Sequence, residues 1–140
     1  MAYNVLTDSC FWLGLLDSAD QHHDNAMAIS QLIISQQIVL PWSCLFEIIS
    51  TRLTRNRERV IGFEAFLSLP NIILFNDGVY KQNALQEVFA LNRLGFTYSL
   101  TDSVVREILK DINVSINYLA TFNNRDFEDI CQLRQIEILS

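Results

Sequence analysis

Short apolar runs alternate along this chain with stretches whose apolar residues recur at helical spacing. Tyr3 to Thr7 reads as a buried strand, and Asp8-Ser9 as the start signal of a short helix over Phe11 to Leu16. After a polar break at Asp20 to Asp24, Ala26, Ile29, Leu32 and Ile33 put one apolar face on a helix from His23 to Gln36. Ile38-Val39-Leu40 is a second strand, stopped by Pro41. The spacing then predicts a helix over Ser43 to Arg55, with Leu45, Ile48, Ile49 and Leu53 facing inwards, and another over Val60 to Leu69. Asn71 to Phe75 is a third strand, and Asn76-Asp77-Gly78 turns the chain. A long helix from Val79 ends at Leu94, before Gly95, and a further helix covers Ser99 to Asp111. Ile116 to Phe122 and Ile136 to Leu139 are the fourth and fifth strands.

Strands separated by helices imply a parallel sheet covered on both faces. The expected class is α/β, a three-layer α/β/α sandwich around a mainly parallel sheet of four to five strands. A length of 140 residues, half of them apolar and about a fifth charged, suits one domain spanning 1–140. The three cysteines are far apart and form no CxxC, so neither a zinc site nor a disulfide framework is expected. They read as buried or half-buried thiols in a reducing cytoplasm. No basic n-region opens the chain, and no apolar run reaches the ~20 residues that span a bilayer, so a soluble, cytoplasmic protein is expected.

In open parallel sheets, ligands bind beyond the carboxyl ends of the strands. Asp8 follows strand one directly, and Asn123, Asn124 and Asp126 follow strand four. Glu47 lies on the helix after strand two, opposite its apolar face. Asp102 opens a helix that must pack back onto the sheet. Each has a plainer role available. Asp8 suits an N-cap, Asp102 the third position after Ser99 in a capping box, Glu47 a solvated helix face, and Asp126 a turn.

The chain resembles the PIN-domain family almost end to end. Asn4-Val5-Leu6-Thr7-Asp8-Ser9 resembles the family's first strand with its terminal aspartate. Val39-Leu40-Pro41-Trp42-Ser43-Cys44-Leu45-Phe46-Glu47 resembles the second strand and the helix carrying the family glutamate. Ser99-Leu100-Thr101-Asp102-Ser103 resembles the segment supplying the third acid, and Thr121-Phe122-Asn123-Asn124-Arg125-Asp126-Phe127 the closing motif. The resemblance departs at Asn123, where many members carry aspartate in a Thr-x-Asp pattern. The fourth acid is therefore carried over to Asp126, with Asn123 as a neutral oxygen donor.

That resemblance implies a metal-dependent endoribonuclease acting on single-stranded RNA, of the VapC toxin type, with a cognate antitoxin and a homodimeric state. Asp8, Glu47, Asp102 and Asp126 are then the catalytic residues. Asp8, Asp102 and Asp126 would hold the metal, while Thr7, Ser9, Thr101 and Asn123 would orient them. Oxygen-only ligands favour Mg²⁺ or Mn²⁺. The alternatives are a PIN nuclease of RNA processing or DNA flaps with no antitoxin, and a PIN-like binding module that has lost catalysis. An unrelated α/β domain of receiver type is disfavoured, because Lys81 and Lys110 fall inside helices.

A formal net charge of −6 opposes nucleic-acid binding unless a cation offsets the acids and the basic residues lie along the substrate. Arg52, Arg55, Arg57 and Arg59 supply four of the ten basic residues, and Arg125 sits inside the closing motif. Arg52, Arg55 and Arg125 are the RNA-binding candidates; a solvated helix end explains the first two equally well. His22 and His23 read as exposed loop residues, and Trp42 and Phe46 as core packing behind strand two. The helix Phe11 to Leu16 and those from Ser43 to Leu69 are expected to offer apolar surface to a second copy and to an antitoxin.

Overall fold

The computed structural model describes residues 2–140. Five strands form one parallel sheet in the order β3-β2-β1-β4-β5. They are β1 (Asn4–Thr7), β2 (Gln37–Pro41), β3 (Ile72–Phe75), β4 (Tyr118–Ala120) and β5 (Glu137–Leu139). The helices are α1 (Ser9–Leu16), α2 (His23–Ile33), α3 (Trp42–Ile48), α4 (Thr51–Thr54), α5 (Arg57–Leu67), α6 (Lys81–Arg93), α7 (Leu100–Lys110) and α8 (Glu128–Arg134). Sequence and structure agree on an α/β sandwich.

The chain winds outwards from β1 through β2 to β3, then returns to lay β4 against the other side of β1. Crossovers between parallel strands are right-handed, so outward and returning connections take opposite faces of the sheet. α1 packs on α2, α3 and α5; α7 packs on α6 and α8. The central strands are apolar because helices cover both faces: Val5, Leu6, Leu119 and Ala120 are fully buried. Beside them Trp12 meets Phe11, Phe63 and Phe66 edge to face, and its indole N–H donates to the Thr7 hydroxyl at 2.8 Å.

Four local expectations are corrected. The helix expected over Ser43 to Arg55 is two, α3 and α4. Ile49 leaves helical geometry at φ −84°, ψ 64°, and Ser50 is extended. Ile48-Ile49-Ser50-Thr51 is a run of low helix propensity, and it yields here. The break turns Ile49 out, 47% exposed, instead of keeping it in line with Leu45 and Leu53.

Trp42 and Phe46 do not pack behind β2. They are 45% and 76% exposed, because α3 begins at Trp42 and buries Cys44, Leu45 and Ile48. The apolar surface expected of α1 narrows to Leu13 and Leu16, both half-buried, because Phe11, Trp12 and Leu15 are core. His22 and His23 are half-buried. The His22 ring stacks on Phe122 at 4.4 Å, and His23 Nδ1–H donates to the Gly14 carbonyl at 2.9 Å.

The helix α8 was not anticipated. It has two turns and ends on Gln135 in the left-handed region (φ 57°), with no glycine to mark the stop. Its charges did carry a signal, with Glu128 and Asp129 in the first turn and Arg134 in the last. After α6, Gly95 takes φ 92°, and Phe96 N–H reaches back to the Leu91 carbonyl, as the sequence implied. Among the described residues no helix is long and apolar enough to cross a membrane.

Candidate active site

The strand order reverses between β1 and β4, so the crevice beyond their carboxyl ends is the place for a ligand. Asp8 stands there, 3% exposed. Its backbone N–H donates to the Ala120 carbonyl at 3.3 Å, which locks it to the end of β4. Its Oδ1 accepts from the Phe11 N–H at 3.3 Å, so it does cap α1. The same oxygen accepts from the Cys10 thiol at 3.0 Å, and Oδ2 accepts from the Thr121 hydroxyl at 2.6 Å. Burial pushes the Asp8 pKa up, these hydrogen bonds pull it back, and the charge of Glu47 pushes it up further. Burial, then the charge of Asp8, push the Cys10 thiol up to about 12, so it stays a proton donor.

Glu47 is exposed on α3, and the Ser9 hydroxyl donates to its Oε1. The start of α3 is fixed by Asp77, a buried residue after β3, whose Oδ2 accepts from the Ser43 N–H at 2.8 Å. Asp102 lies in the first turn of α7, where the Ser99 hydroxyl caps its N–H at 3.0 Å. Asp126 ends the 3₁₀ turn Asn124–Asp126, and the Asn123 amide donates to its Oδ2 at 2.7 Å.

Asp102 lies within electrostatic reach of the other three acids, and Asp8 within reach of Glu47. The Asp102 pKa is pushed up to about 7, chiefly by burial and then by the charges of Asp126, Asp8 and Glu47. None of the four forms an ion pair among the described residues.

Of the residues expected to orient the acids, Ser9 and Asn123 touch Glu47 and Asp126. Thr7 does not touch them. Its hydroxyl donates to the Val39 carbonyl at 3.0 Å and accepts from Trp12. Thr101 lines a separate groove with Phe46 and Leu85. The side chains that do hold Asp8 are Cys10 and Thr121, neither singled out from the sequence. Thr121 has a visible cue, standing two residues before Asn123 in the closing motif.

Arg52, Arg55 and Arg125 are exposed and free of ion pairs among the described residues, whereas Arg59 is committed to Asp17 at 2.9 Å. Arg106, also unanticipated, is buried on α7 one turn beyond Asp102. It donates to the Asp126 carbonyl at 2.7 Å, grips both Asp129 oxygens at 2.8 and 3.0 Å, and lies over the Tyr98 ring. It thereby ties the loop carrying Asp126 to the helix carrying Asp102. Arg106→Met is expected to cost about 1–2 kcal/mol in urea unfolding, because it removes a charge-assisted bond to the Asp126 carbonyl, while Asp129, 62% exposed, returns to water. A loss below about 0.5 kcal/mol would mean that the fork contributes little beyond its packing.

The donor chemistry of the site suits a hard divalent cation: carboxylate oxygens, partly desolvated, with no basic partner. The cage is not closed. Among the described residues, no three His, Cys, Asp or Glu side chains stand together closely enough to hold an ion.

No family model and no curated protein sequence matches this chain. Solved structures do. The crystal structure of Mycobacterium tuberculosis VapC20, described as a sarcin–ricin loop cleaving toxin, aligns with a TM-score of 0.69 at 14% identity. The alignment covers 89% of this chain and 94% of that one. VapBC2 from Rickettsia felis, bound to a DNA fragment from its promoter, aligns with a TM-score of 0.64 at 14% identity, covering 96% of each chain. At this identity the likeness concerns the backbone alone, and it establishes that the chain has the PIN-like fold of VapC toxins.

Proposed function

We propose that this protein is a Mg²⁺- or Mn²⁺-dependent endoribonuclease of single-stranded RNA, the toxin of a toxin–antitoxin pair. One observation carries the reading: Asp8 is held buried at the strand-order switch point by Thr121 and Cys10, Ser9 ties Glu47 in beside it, and the charges of Asp126, Asp8 and Glu47 all act on Asp102. The fold, shared with a toxin described as cleaving the sarcin–ricin loop, supports RNA as the substrate by analogy.

A bound divalent ion would supply Lewis acidity, offsetting charge that builds on the phosphate. Asp8 and Asp102 would hold it, with Asp126 completing the set. Thr121 and Cys10 keep both Asp8 oxygens in fixed directions, so the carboxylate is in place before substrate arrives. Glu47 stands at the open side of the site, steadied by Ser9. It would accept a proton from the attacking water as the P–O ester bond breaks. Arg125, exposed on the turn that carries Asp126, would meet a phosphate.

The exposed apolar face of Trp42, Phe46 and Ile49 on α3 would be covered by an antitoxin or a second copy. An antitoxin-bound neighbour of the same fold supports that partner class. A cytoplasmic location follows from this role.

A second reading, a binding module without catalysis, draws on Asn123. Its amide occupies Asp126 Oδ2 and leaves that carboxylate less free for an ion. Incubation with a panel of single-stranded RNAs separates the two. With Mg²⁺ or Mn²⁺ the protein should cut, and EDTA should stop it. Manganese binding without cutting would favour the module, and cutting that EDTA leaves untouched would overturn the metal mechanism.

A further inference from the structure

A cavity of about 260 Å³ shares Glu47 as a wall with the acidic site. It opens between the end of α1 and the break that separates α3 from α4. Leu13, Leu16 and Leu53 line it with apolar surface. The polar wall is mixed in charge. Asp17 Oδ1 is taken by Arg59 Nη2 and the Ala19 N–H, both at 2.9 Å, and Asp20 Oδ1 by the His22 N–H at 2.8 Å. The second oxygen of each carboxylate has no hydrogen bond among the described residues, and Arg52 at the rim has no acidic partner.

Resting on the nuclease reading above, we infer that this cavity is a nucleobase subsite that takes an unpaired guanine next to the scissile phosphate. The lining combines apolar surface, carboxylate oxygens without a hydrogen bond and a guanidinium without an acidic partner, the groups a purine base can use. Guanine places two N–H donors, N1–H and N2–H, side by side, and Asp17 and Asp20 each keep one oxygen without a hydrogen bond to accept them. Its opposite edge, O6 and N7, is the one an arginine fork prefers. Adenine offers one amino donor beside an acceptor nitrogen, and uracil one ring N–H between two carbonyls. Adenine, uracil and cytosine each bring a single N–H-bearing position to the carboxylates, so the two adjacent donor positions are particular to guanine. Because Glu47 belongs to both spaces, a strand with its phosphate at the acids brings a neighbouring base to the cavity mouth.

Two measurements test this. The protein is titrated with GMP, AMP, CMP and UMP while the methyl resonances of Leu13, Leu16 and Leu53 are followed. A randomised single-stranded RNA pool is digested with Mn²⁺ and its cut sites sequenced. GMP alone should move the three leucines, and Arg52→Ala and Asp20→Asn should each weaken it about tenfold or more. Both substitutions leave the leucine lining intact, and the amide oxygen introduced by Asp20→Asn can still accept the His22 N–H.

The pool should show guanine at one fixed position beside the cut, a preference that Asp20→Asn flattens. Leucines that ignore all four nucleotides, or answer them equally, overturn the subsite. So do leucines that respond only to N-acetylarginine amide, which would assign the cavity to a basic peptide partner. Cutting without base preference and without GMP shifts removes the subsite and leaves the nuclease. GMP shifts without any cutting keep the subsite and remove the nuclease.

Discussion

Asp8→Asn should abolish metal-dependent RNA cleavage, by about a thousandfold or more, in a protein no less stable than the original. The loss follows from removing the one fully buried carboxylate at the strand switch point, whose charge would hold the cation. Several kcal/mol of charge stabilisation at the phosphate correspond to about that factor in rate. Stability should survive because asparagine is nearly isosteric. Its oxygen can still accept from Cys10 and the Phe11 N–H, and the Thr121 hydroxyl can turn to accept from the new amide. The pKa of Asp8 is raised in the folded protein, so its ionised form costs stability at neutral pH. Removing that charge should hold or raise the melting temperature without metal. Cleavage equal to wild type would place the chemistry elsewhere.

Asp102→Asn should raise the melting temperature of metal-free protein at pH 8, and the gain should fade towards pH 4. In the folded chain Asp102 is pushed up to about 7 from an ordinary 3.8. Between those values the folded state holds the proton more tightly than the unfolded state, so stability falls as pH rises through the window. Above about 7 the cost of the ionised group is fully present, and below about 4 both states are protonated and it vanishes. The substitution therefore helps most where the carboxylate would be charged.

One effect opposes this. A negative charge in the first turn of α7 is favoured by the helix dipole, by about 0.3–1 kcal/mol. Burial and three neighbouring carboxylates act the other way and should dominate. Thermal melts with EDTA at pH 4, 6 and 8 decide it. A lower melting temperature at pH 8 would show that Asp102 serves α7 more than the site. Saturating Mn²⁺ should reverse the order, stabilising the wild type more than the variant.

The elements were largely legible because their signals are local. β1 is a short apolar run ended by Asp8, β2 is stopped by Pro41, and α6 closes on Gly95. The signals failed where local cues were weak or contradictory. Ile48-Ile49-Ser50-Thr51 kept helical spacing while its propensities favoured a break. α8 ended on Gln135, a residue that seldom takes positive φ. Trp42 and Phe46 looked like core by residue type, yet the inward face of α3 was already filled by Cys44, Leu45 and Ile48.

For the site, the sequence alone determined which carboxylates exist and which follow a strand or open a helix, because those are properties of neighbouring residues. Only the tertiary structure decided that Asp8 lies beside Thr121, 113 residues away, with Cys10 bonded to both. It also decided that Arg106 would bind the turn of Asp126 to the helix of Asp102. Strand order is set by pairing and packing across the whole chain. No local pattern encodes that β4 returns to the flank of β1, and that single return lays Thr121 against Asp8.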